Sequence, residues 1–162
     1  MTGLTRFRSI SLADVFIICA VSDSAHKEIA GALDLIDYMN GVFGLKQGVD
    51  YKYRLSLGDR ENKEKYFDDP KAWEDSEEIL RKVLKERNVE FVEAKDEAAF
   101  YGPKIDVQMT KMNGVEETAF TVQYDFVMPT RFDLKYIDSN GEEKRPLVVH
   151  RSSIGSVERT AA

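Results

Sequence analysis

The residues best suited to chemistry lie in four short segments of a 162-residue chain. Each segment places charged or hydrogen-bonding side chains next to a predicted strand. In chain order the segments are residues 3–8 (GLTRFR), 99–106 (AFYGPKID), 121–126 (TVQYDF) and 150–159 (HRSSIGSVER). In the third segment, Thr121, Gln123 and Asp125 share one strand face because side chains alternate along a strand. Three polar groups on one face indicate either a binding site or a solvated surface.

A catalytic nucleophile or a complete metal site is not evident from the pattern. The chain has two histidines and one cysteine. His26 falls on the polar side of a predicted helix, and His150 has no partner that the sequence reveals. The phosphate-binding motifs GxGxxG and GxxxxGK followed by Ser or Thr are both absent. We therefore do not expect an unrelated enzyme built on such groups.

Composition places the chain among ordinary globular proteins of one domain, residues 1–162. Apolar residues make up 43%, charged residues 32%, and the net charge is -6. That charge argues against a dedicated nucleic-acid module, since such modules are usually basic. The single cysteine, Cys19, excludes an intrachain disulfide and favours a reducing compartment. With no signal peptide and no run of roughly 20 apolar residues, we expect a cytoplasmic protein without a membrane span.

Periodicity predicts the elements that position these segments. Apolar residues at helical spacing predict amphipathic helices, and Asp69-Pro70 is a strong helix start. Asn113-Gly114 and residues 138–141 predict hairpin turns. The predicted helices are 24–43, 70–87 and one beginning at Ser152 or Ser153, and the predicted strands are a buried one at 14–21 and others at 49–57, 89–94, 104–112, 117–127, 132–137 and 146–150. Because strands and helices do not alternate, we predict an α+β fold, an antiparallel β-sheet flanked by helices.

Several motifs in this order resemble the catalytic core of the threonyl-tRNA synthetase family, which belongs to the class II aminoacyl-tRNA synthetases. They are AFYGPKID, TVQYDF, the RFDLKY stretch and HRSSIGSVER. GLTRFR with the strand after it resembles the second half of class II motif 2, and GSVER resembles the start of motif 3. The resemblance covers essentially the whole chain. It implies a class II catalytic sheet that activates threonine with ATP and Mg to threonyl-adenylate and transfers the threonyl group to tRNA.

The resemblance also implies roles for individual residues. Arg6 and Arg8 would lie near the ATP phosphates and Arg159 would hold the ATP tail, since arginine stays charged and binds phosphate bidentately. The residues implied to bind threonine or its adenylate are Asp14, Tyr101, Lys104, Thr121, Gln123 and Ser156. From the pattern alone, each of these residues could instead be a surface charge, a packed ring, an exposed strand residue or a cap.

The family binds threonine through a zinc ion held by one cysteine and two histidines, and this chain matches that set only in part. His150 matches one ligand, whereas Phe16 stands at the position of the second histidine. The resemblance places the cysteine ligand ahead of Met1, and Cys19 should face away from Phe16 on its strand. One histidine does not make this site. We therefore expect no tight zinc binding, with Phe16 packed in a core or filling the place of the metal.

Further departures predict weak or absent catalysis by this chain alone. Leu12 and Thr118 stand where the family usually has glutamine, and the family's homodimer-forming motif 1 has no counterpart here. The main hypothesis is a threonine–tRNA ligase catalytic core. One alternative is a non-catalytic synthetase-like module that binds an adenylate-like ligand or a protein partner. Another is a structural fragment that dimerises.

Overall fold

The computed structural model describes residues 9–110 and 114–158, apart from the side chain of Ser153. The helices are α1 (Ser22–Val42), α2 (Pro70–Glu86) and α3 (Met128–Arg131). The strands are β1 (Leu12–Cys19), β2 (Tyr51–Leu57), β3 (Phe91–Lys95), β4 (Lys104–Thr110), β5 (Glu116–Asp125), β6 (Tyr136–Ile137), β7 (Glu143–Lys144) and β8 (Leu147–Ser156). Among the described residues, six strands form the main sheet in the order β1-β8-β5-β4-β2-β3, and β6 and β7 form a second sheet. In this described part, no helix is both long and apolar enough to cross a bilayer.

The main sheet is mostly antiparallel, as the sequence predicts, but β2 and β3 pair in parallel. The connection between them explains this exception. Parallel neighbours require a crossover of a dozen or more residues, and residues 58–69 together with α2 supply it. The prediction of a purely antiparallel sheet is therefore wrong at this edge, while the α+β arrangement is confirmed.

The hydrophobic core lies between one face of the main sheet and the helices α1 and α2. Because side chains alternate along each strand, every second residue of the central strands points into this layer. The core includes Tyr53 and Leu55 of β2, Ile105 and Val107 of β4, Val122 of β5, Val149 of β8, Ile29, Leu33 and Ile36 of α1, and Leu80, Val83 and Leu84 of α2. The alternate residues of the same strands therefore lie on the opposite face, which α1 and α2 do not cover.

The two long helices begin and end close to their predicted positions. Asp69 caps α2 by accepting a hydrogen bond from the backbone N–H of Ala72 at 3.0 Å, with Pro70 in the first turn. This start is the predicted one. Helix α1 begins two residues earlier than predicted, after Val21, and no side chain caps it. It ends before Gly44, whose φ of 75° favours glycine and stops the helix as predicted.

Two predicted strands differ from the structure. The predicted strand 132–137 is reduced to Tyr136–Ile137, and the predicted buried strand near residue 14 is an edge strand whose outer face is exposed. The hairpin at 138–141 is confirmed, since the antiparallel strands β6 and β7 flank it. The hairpin at Asn113-Gly114 lies partly outside the described residues.

The third helix is predicted to start at Ser152 or Ser153, and this start is wrong, because β8 continues to Ser156. Val157 and Glu158 are helical, and the rest of the predicted helix lies outside the described residues. Ser152 pairs with β1 on one side and with β5 on the other, and Ser156 pairs with Leu12 of β1, so strand pairing overrides local helix propensity. Gly155 allows the strand to continue. Its φ is +58°, and a Cβ there would lie 2.2 Å from the carbonyl oxygen of Ala119.

Candidate functional site

Two rows of cross-strand neighbours cross the sheet face that the two long helices leave uncovered. In each row, one residue from each of β1, β8, β5, β4 and β2 lies beside the next in register. The first row is Phe16, His150, Gln123, Lys104 and Ser56. The second row is Asp14, Ser152, Thr121, Asp106 and Arg54. Most of these side chains are polar, so this face has the character of a binding surface and the helix-covered face has that of a core.

A cavity of about 130 Å³ opens at the β1 end of these rows. It is lined by Asp14, Val15, Phe16, Tyr101, Thr121, Gln123, His150, Arg151 and Ser152. Four of the six residues predicted to bind threonine or its adenylate lie here, together with both predicted metal-ligand positions. Lys104 and Ser156 do not line the cavity.

Tyr101 reaches the cavity from the loop before β4. Its hydroxyl donates a hydrogen bond to Oε1 of Gln123, and its ring stacks on the imidazole of His150. Burial raises the pKa of Tyr101, and the negative charges of Asp125 and Asp14 raise it further, so the phenol is neutral. Gly102 lets the loop lie this close to β5, since a Cβ there would lie 1.8 Å from the carbonyl oxygen of Tyr124.

His150 is held by a carboxylate that the sequence did not identify as its partner. Nε2 of His150 lies 2.7 Å from Oδ2 of Asp125, which is fully buried. The other oxygen of Asp125 accepts hydrogen bonds from the backbone N–H groups of Val127 and Met128, at 3.0 and 2.8 Å. The sequence placed Asp125 on one face with Gln123, but the pairing of β5 with β8 could not be derived from it.

Lys104 belongs to a charged cluster at the other end of the rows. Its Nζ lies 2.8 and 2.7 Å from the two carboxylate oxygens of Asp106. Asp106 is fully buried and also accepts hydrogen bonds from Arg54 at 2.8 Å and from Ser56 at 2.7 Å. This cluster could not be predicted from the sequence, because Arg54 and Ser56 come from β2, about 50 residues earlier in the chain.

The remaining predicted residues lie away from the cavity or outside the described residues. Ser156 donates a hydrogen bond to Glu158 at 3.0 Å. Glu158 also accepts from the backbone N–H of Ser11 at 3.1 and 2.9 Å. That backbone bond is the main reason that the pKa of Glu158 is lowered to about 2. The predicted phosphate-binding residues, Arg6, Arg8 and Arg159, lie outside the described residues.

The described residues do not fit the three-ligand zinc set of the family. The ring of Phe16 lies edge-on to the ring of His150 at 4.7 Å, where a second histidine is expected. Phe16 is 67% exposed, so the predicted packing of its ring in a core is wrong. Cys19 faces the core on the opposite side of β1, and burial raises the pKa of its thiol. Across residues 9–110 and 114–158, no three His, Cys, Asp or Glu residues are placed to hold a metal ion.

Sheet topology and sequence together define the class of protein. The family described as tRNA synthetase class II core domain (G, H, P, S and T) matches residues 1–162, and the chain belongs to this family. Threonine–tRNA ligases are its relatives: that of Clostridium botulinum is 47% identical over 162 residues, which are all of this chain and 25% of that protein. The Streptococcus pneumoniae enzyme is 44% identical over the same 162 residues, which make up 24% of the length of that protein.

A solved structure agrees with this assignment. The RNA binding domain of threonyl-tRNA synthetase from Cryptosporidium parvum Iowa II superposes with a TM-score of 0.84 at 30% identity. The match covers 99% of this chain and 38% of that one. The chain spans about a quarter of the length of the curated relatives it matches. The predicted resemblance to threonyl-tRNA synthetases is therefore confirmed.

Proposed function

We propose that this chain forms the amino-acid-binding part of a threonine–tRNA ligase. In that reaction threonine attacks the α-phosphate of ATP, giving threonyl-adenylate and pyrophosphate, and the threonyl group then passes to tRNA. The observation that carries the proposal is the cavity on the uncovered sheet face, where Asp14, Tyr101, Thr121 and Gln123 converge. Membership of the class II core family and the names of the relatives support it.

The chemistry of the cavity suits an amino acid. The Asp14 carboxylate is a partner for the ammonium group, and the Thr121 hydroxyl and the Gln123 amide supply neutral hydrogen bonds. The cavity is well below the roughly 300–1,000 Å³ of a site for a drug-sized ligand. We therefore propose that it holds the amino-acid end of threonyl-adenylate, with the nucleotide extending over the polar rows of the sheet.

We propose that ATP, as its Mg complex, is bound by the arginines that the family resemblance indicates. Arg6 and Arg8 would contact the phosphates and Arg159 the ATP tail. Loss of one donor to a developing charge lowers the rate about a hundredfold or more. Because Phe16 occupies a position that supplies a metal ligand in the family, we propose that this chain alone turns over slowly or not at all. We further propose that the protein acts in the cytoplasm.

A thermal-shift titration tests binding directly. A ligand that binds the folded state raises the melting temperature with its concentration. We expect a non-hydrolysable threonyl-adenylate analogue to raise it more than the seryl and valyl analogues do. Asp14→Asn should reduce the shift, whereas Asp23→Asn, on the helix behind the sheet, should not. No shift with any of the three analogues would overturn the proposed function.

A non-catalytic adenylate-binding module is the second candidate, and Phe16 beside His150 is the observation that favours it. The two candidates differ in turnover but not in binding. ATP–pyrophosphate exchange that depends on threonine would support the ligase. Selective binding of the threonyl analogue without any exchange would support the module.

A further inference from the structure

Ser152 has a buried hydroxyl without a hydrogen-bond partner among the described residues. The residue is 9% exposed, and it lines the cavity on the uncovered sheet face. Buried hydroxyl groups are normally hydrogen-bonded, because an unsatisfied one destabilises the folded state. An orphaned hydroxyl on a residue that lines a cavity, which a change of χ1 rotamer would turn toward the cavity, therefore points to a ligand that completes it.

Gln123, Thr121 and His150 are already engaged with neighbouring side chains. Oε1 of Gln123 accepts from Tyr101, and Nε2 of Gln123 donates to Thr121 at 3.4 Å. Nε2 of His150 is occupied by Asp125. Ser152 lies between these groups and β1, with Thr121 on one side in register and Asp14 on the other. Its hydroxyl can both donate and accept, which is what another hydroxyl requires.

We propose that Oγ of Ser152 binds the side-chain hydroxyl of the amino acid, so that this chain recognises that hydroxyl without a metal ion. The inference rests on the proposed function, since threonine is the ligand. Phe16, beside His150, provides an apolar wall at the position where the family has a metal ligand. An amino acid with a methyl group in place of the hydroxyl would leave Ser152 unsatisfied, and the site would discriminate against it.

Isothermal titration in the presence of EDTA, with threonyl- and valyl-adenylate analogues, tests this proposal. The two side chains are nearly isosteric, so the comparison isolates the hydroxyl. We expect Ser152→Ala to weaken binding of the threonyl analogue about 3- to 10-fold, the range of one neutral hydrogen bond. Binding of the valyl analogue should change less than about 2-fold, because it makes no such bond. The preference for threonyl over valyl should shrink accordingly.

The matched control is Ser76→Ala, on the helix α2 behind the sheet. Ser76 is also buried, but its hydroxyl donates to the carbonyl oxygens of Ala72 at 2.6 Å and Trp73 at 3.1 Å. Ser76→Ala should lower the melting temperature and leave both affinities unchanged. Ser152→Ala should leave the melting temperature of the ligand-free protein equal or higher, because it removes an unsatisfied buried group.

The possible outcomes separate this proposal from the proposed function. If the wild-type chain binds the threonyl analogue but Ser152→Ala weakens both analogues equally or neither, the role of Ser152 is overturned alone. If EDTA abolishes wild-type binding, recognition depends on a metal and the proposal is overturned. If the wild-type chain binds no analogue with or without EDTA, the proposed function fails and this inference fails with it.

Discussion

The ring of Tyr101 is stacked on the imidazole of His150, with the ring centroids 5.3 Å apart and the planes 24° from parallel. Each of the two side chains is also fixed by a hydrogen bond at its far end, Tyr101 by Gln123 and His150 by Asp125. Tyr101, Gln123 and His150 thereby form one continuous wall of the cavity, and Asp125, which is fully buried, anchors His150 from outside the cavity lining. A site held in this way is preorganised before a ligand enters.

Tyr101→Phe tests how much of this wall depends on the phenol hydroxyl. The substitution keeps the ring on His150 but removes the hydrogen bond to Gln123. We expect the free energy of unfolding to fall by about 0.5–1.5 kcal/mol, the range of one hydrogen bond. Affinity for the threonyl-adenylate analogue should fall a few-fold, because Gln123 loses its orientation. Urea denaturation and calorimetric titration measure the two quantities.

Tyr38→Phe is the matched control, since Tyr38 lies on the outer surface of α1 and is exposed. It should change neither stability nor affinity. If Tyr101→Phe has the same free energy of unfolding and the same affinity as the wild-type chain, the hydrogen bond to Gln123 contributes to neither.

Most residues of this wall could be predicted from the sequence, but the hydrogen bonds between side chains on different strands could not. The motif resemblance identified Tyr101, Gln123 and His150 one by one, and alternation along a strand placed Asp125 on the face of Gln123. The bond between His150 and Asp125 depends on β8 lying beside β5 in one particular register. Register is set by long-range pairing and not by the local pattern of either strand.

Asp106→Asn tests the charged cluster at the other end of the polar rows. The fully buried carboxylate of Asp106 is the shared partner of Lys104 and Arg54, at 2.7 and 2.8 Å. Neutralising it removes the counter-charge that the poorly solvated Lys104 and Arg54 share, and leaves Arg54 with its longer ion pair to Glu97 at 3.6 Å. Breaking a buried ion pair in this way lowers the free energy of unfolding by about 3–5 kcal/mol, which chemical denaturation would show as a lower midpoint at an unchanged slope.

Asp68→Asn is the control for a surface ion pair. Asp68 and its partner Lys63 are both largely exposed, so the loss should stay below about 1 kcal/mol. If the two substitutions lower the free energy of unfolding equally, the buried carboxylate of Asp106 does not stabilise the fold more than a surface ion pair does.

The fold itself was predictable where local signals agree with tertiary pairing. The Asp69-Pro70 start of α2 and the hairpin at 138–141 depend on residues close in sequence, and both are found. The strand from Leu147 to Ser156 was missed over its second half. There Ser and Gly suggest a cap and a helix, but the pairing of Ser152 with β1 and β5 and of Ser156 with β1 holds the segment extended.

Gly102→Ala tests the close approach of the Tyr101 loop to β5. The added Cβ would lie 1.8 Å from the backbone oxygen of Tyr124, so the loop must move. We expect a loss of about 1–3 kcal/mol, as for overpacked interiors, and weaker binding of the threonyl analogue because Tyr101 shifts with its neighbour. Gly31→Ala is the control, because a Cβ in that α1 position meets no atom within 4 Å. It should stabilise the chain by about 0.5–1 kcal/mol, and a loss similar to that of Gly102→Ala would contradict the steric argument.

The bond from the Ser11 backbone N–H to Glu158 ties the start of β1 to the residues after β8, and its strength should depend on pH. The pKa of Glu158 is lowered from 4.5 to about 2 in the folded protein, first by that bond. A depressed pKa stabilises the fold above the unfolded value and loses the contribution as pH falls. The stability advantage of the wild-type chain over Glu158→Gln should therefore be constant above pH 4.5 and disappear between pH 4.5 and about 2.

An NMR titration locates the same transition directly. The Glu158 side-chain carbon and the Ser11 amide proton should titrate together, because protonation of the carboxylate weakens the bond between them. In Glu158→Gln the Ser11 amide should no longer follow this transition, since glutamine keeps an acceptor but carries no charge. A midpoint near 4.5, or a Ser11 amide that is indifferent to the Glu158 titration, would mean that the bond does not form in solution. The end of β8 would then be held by its pairing with β1 and by the backbone bond from Val157 to Ser11.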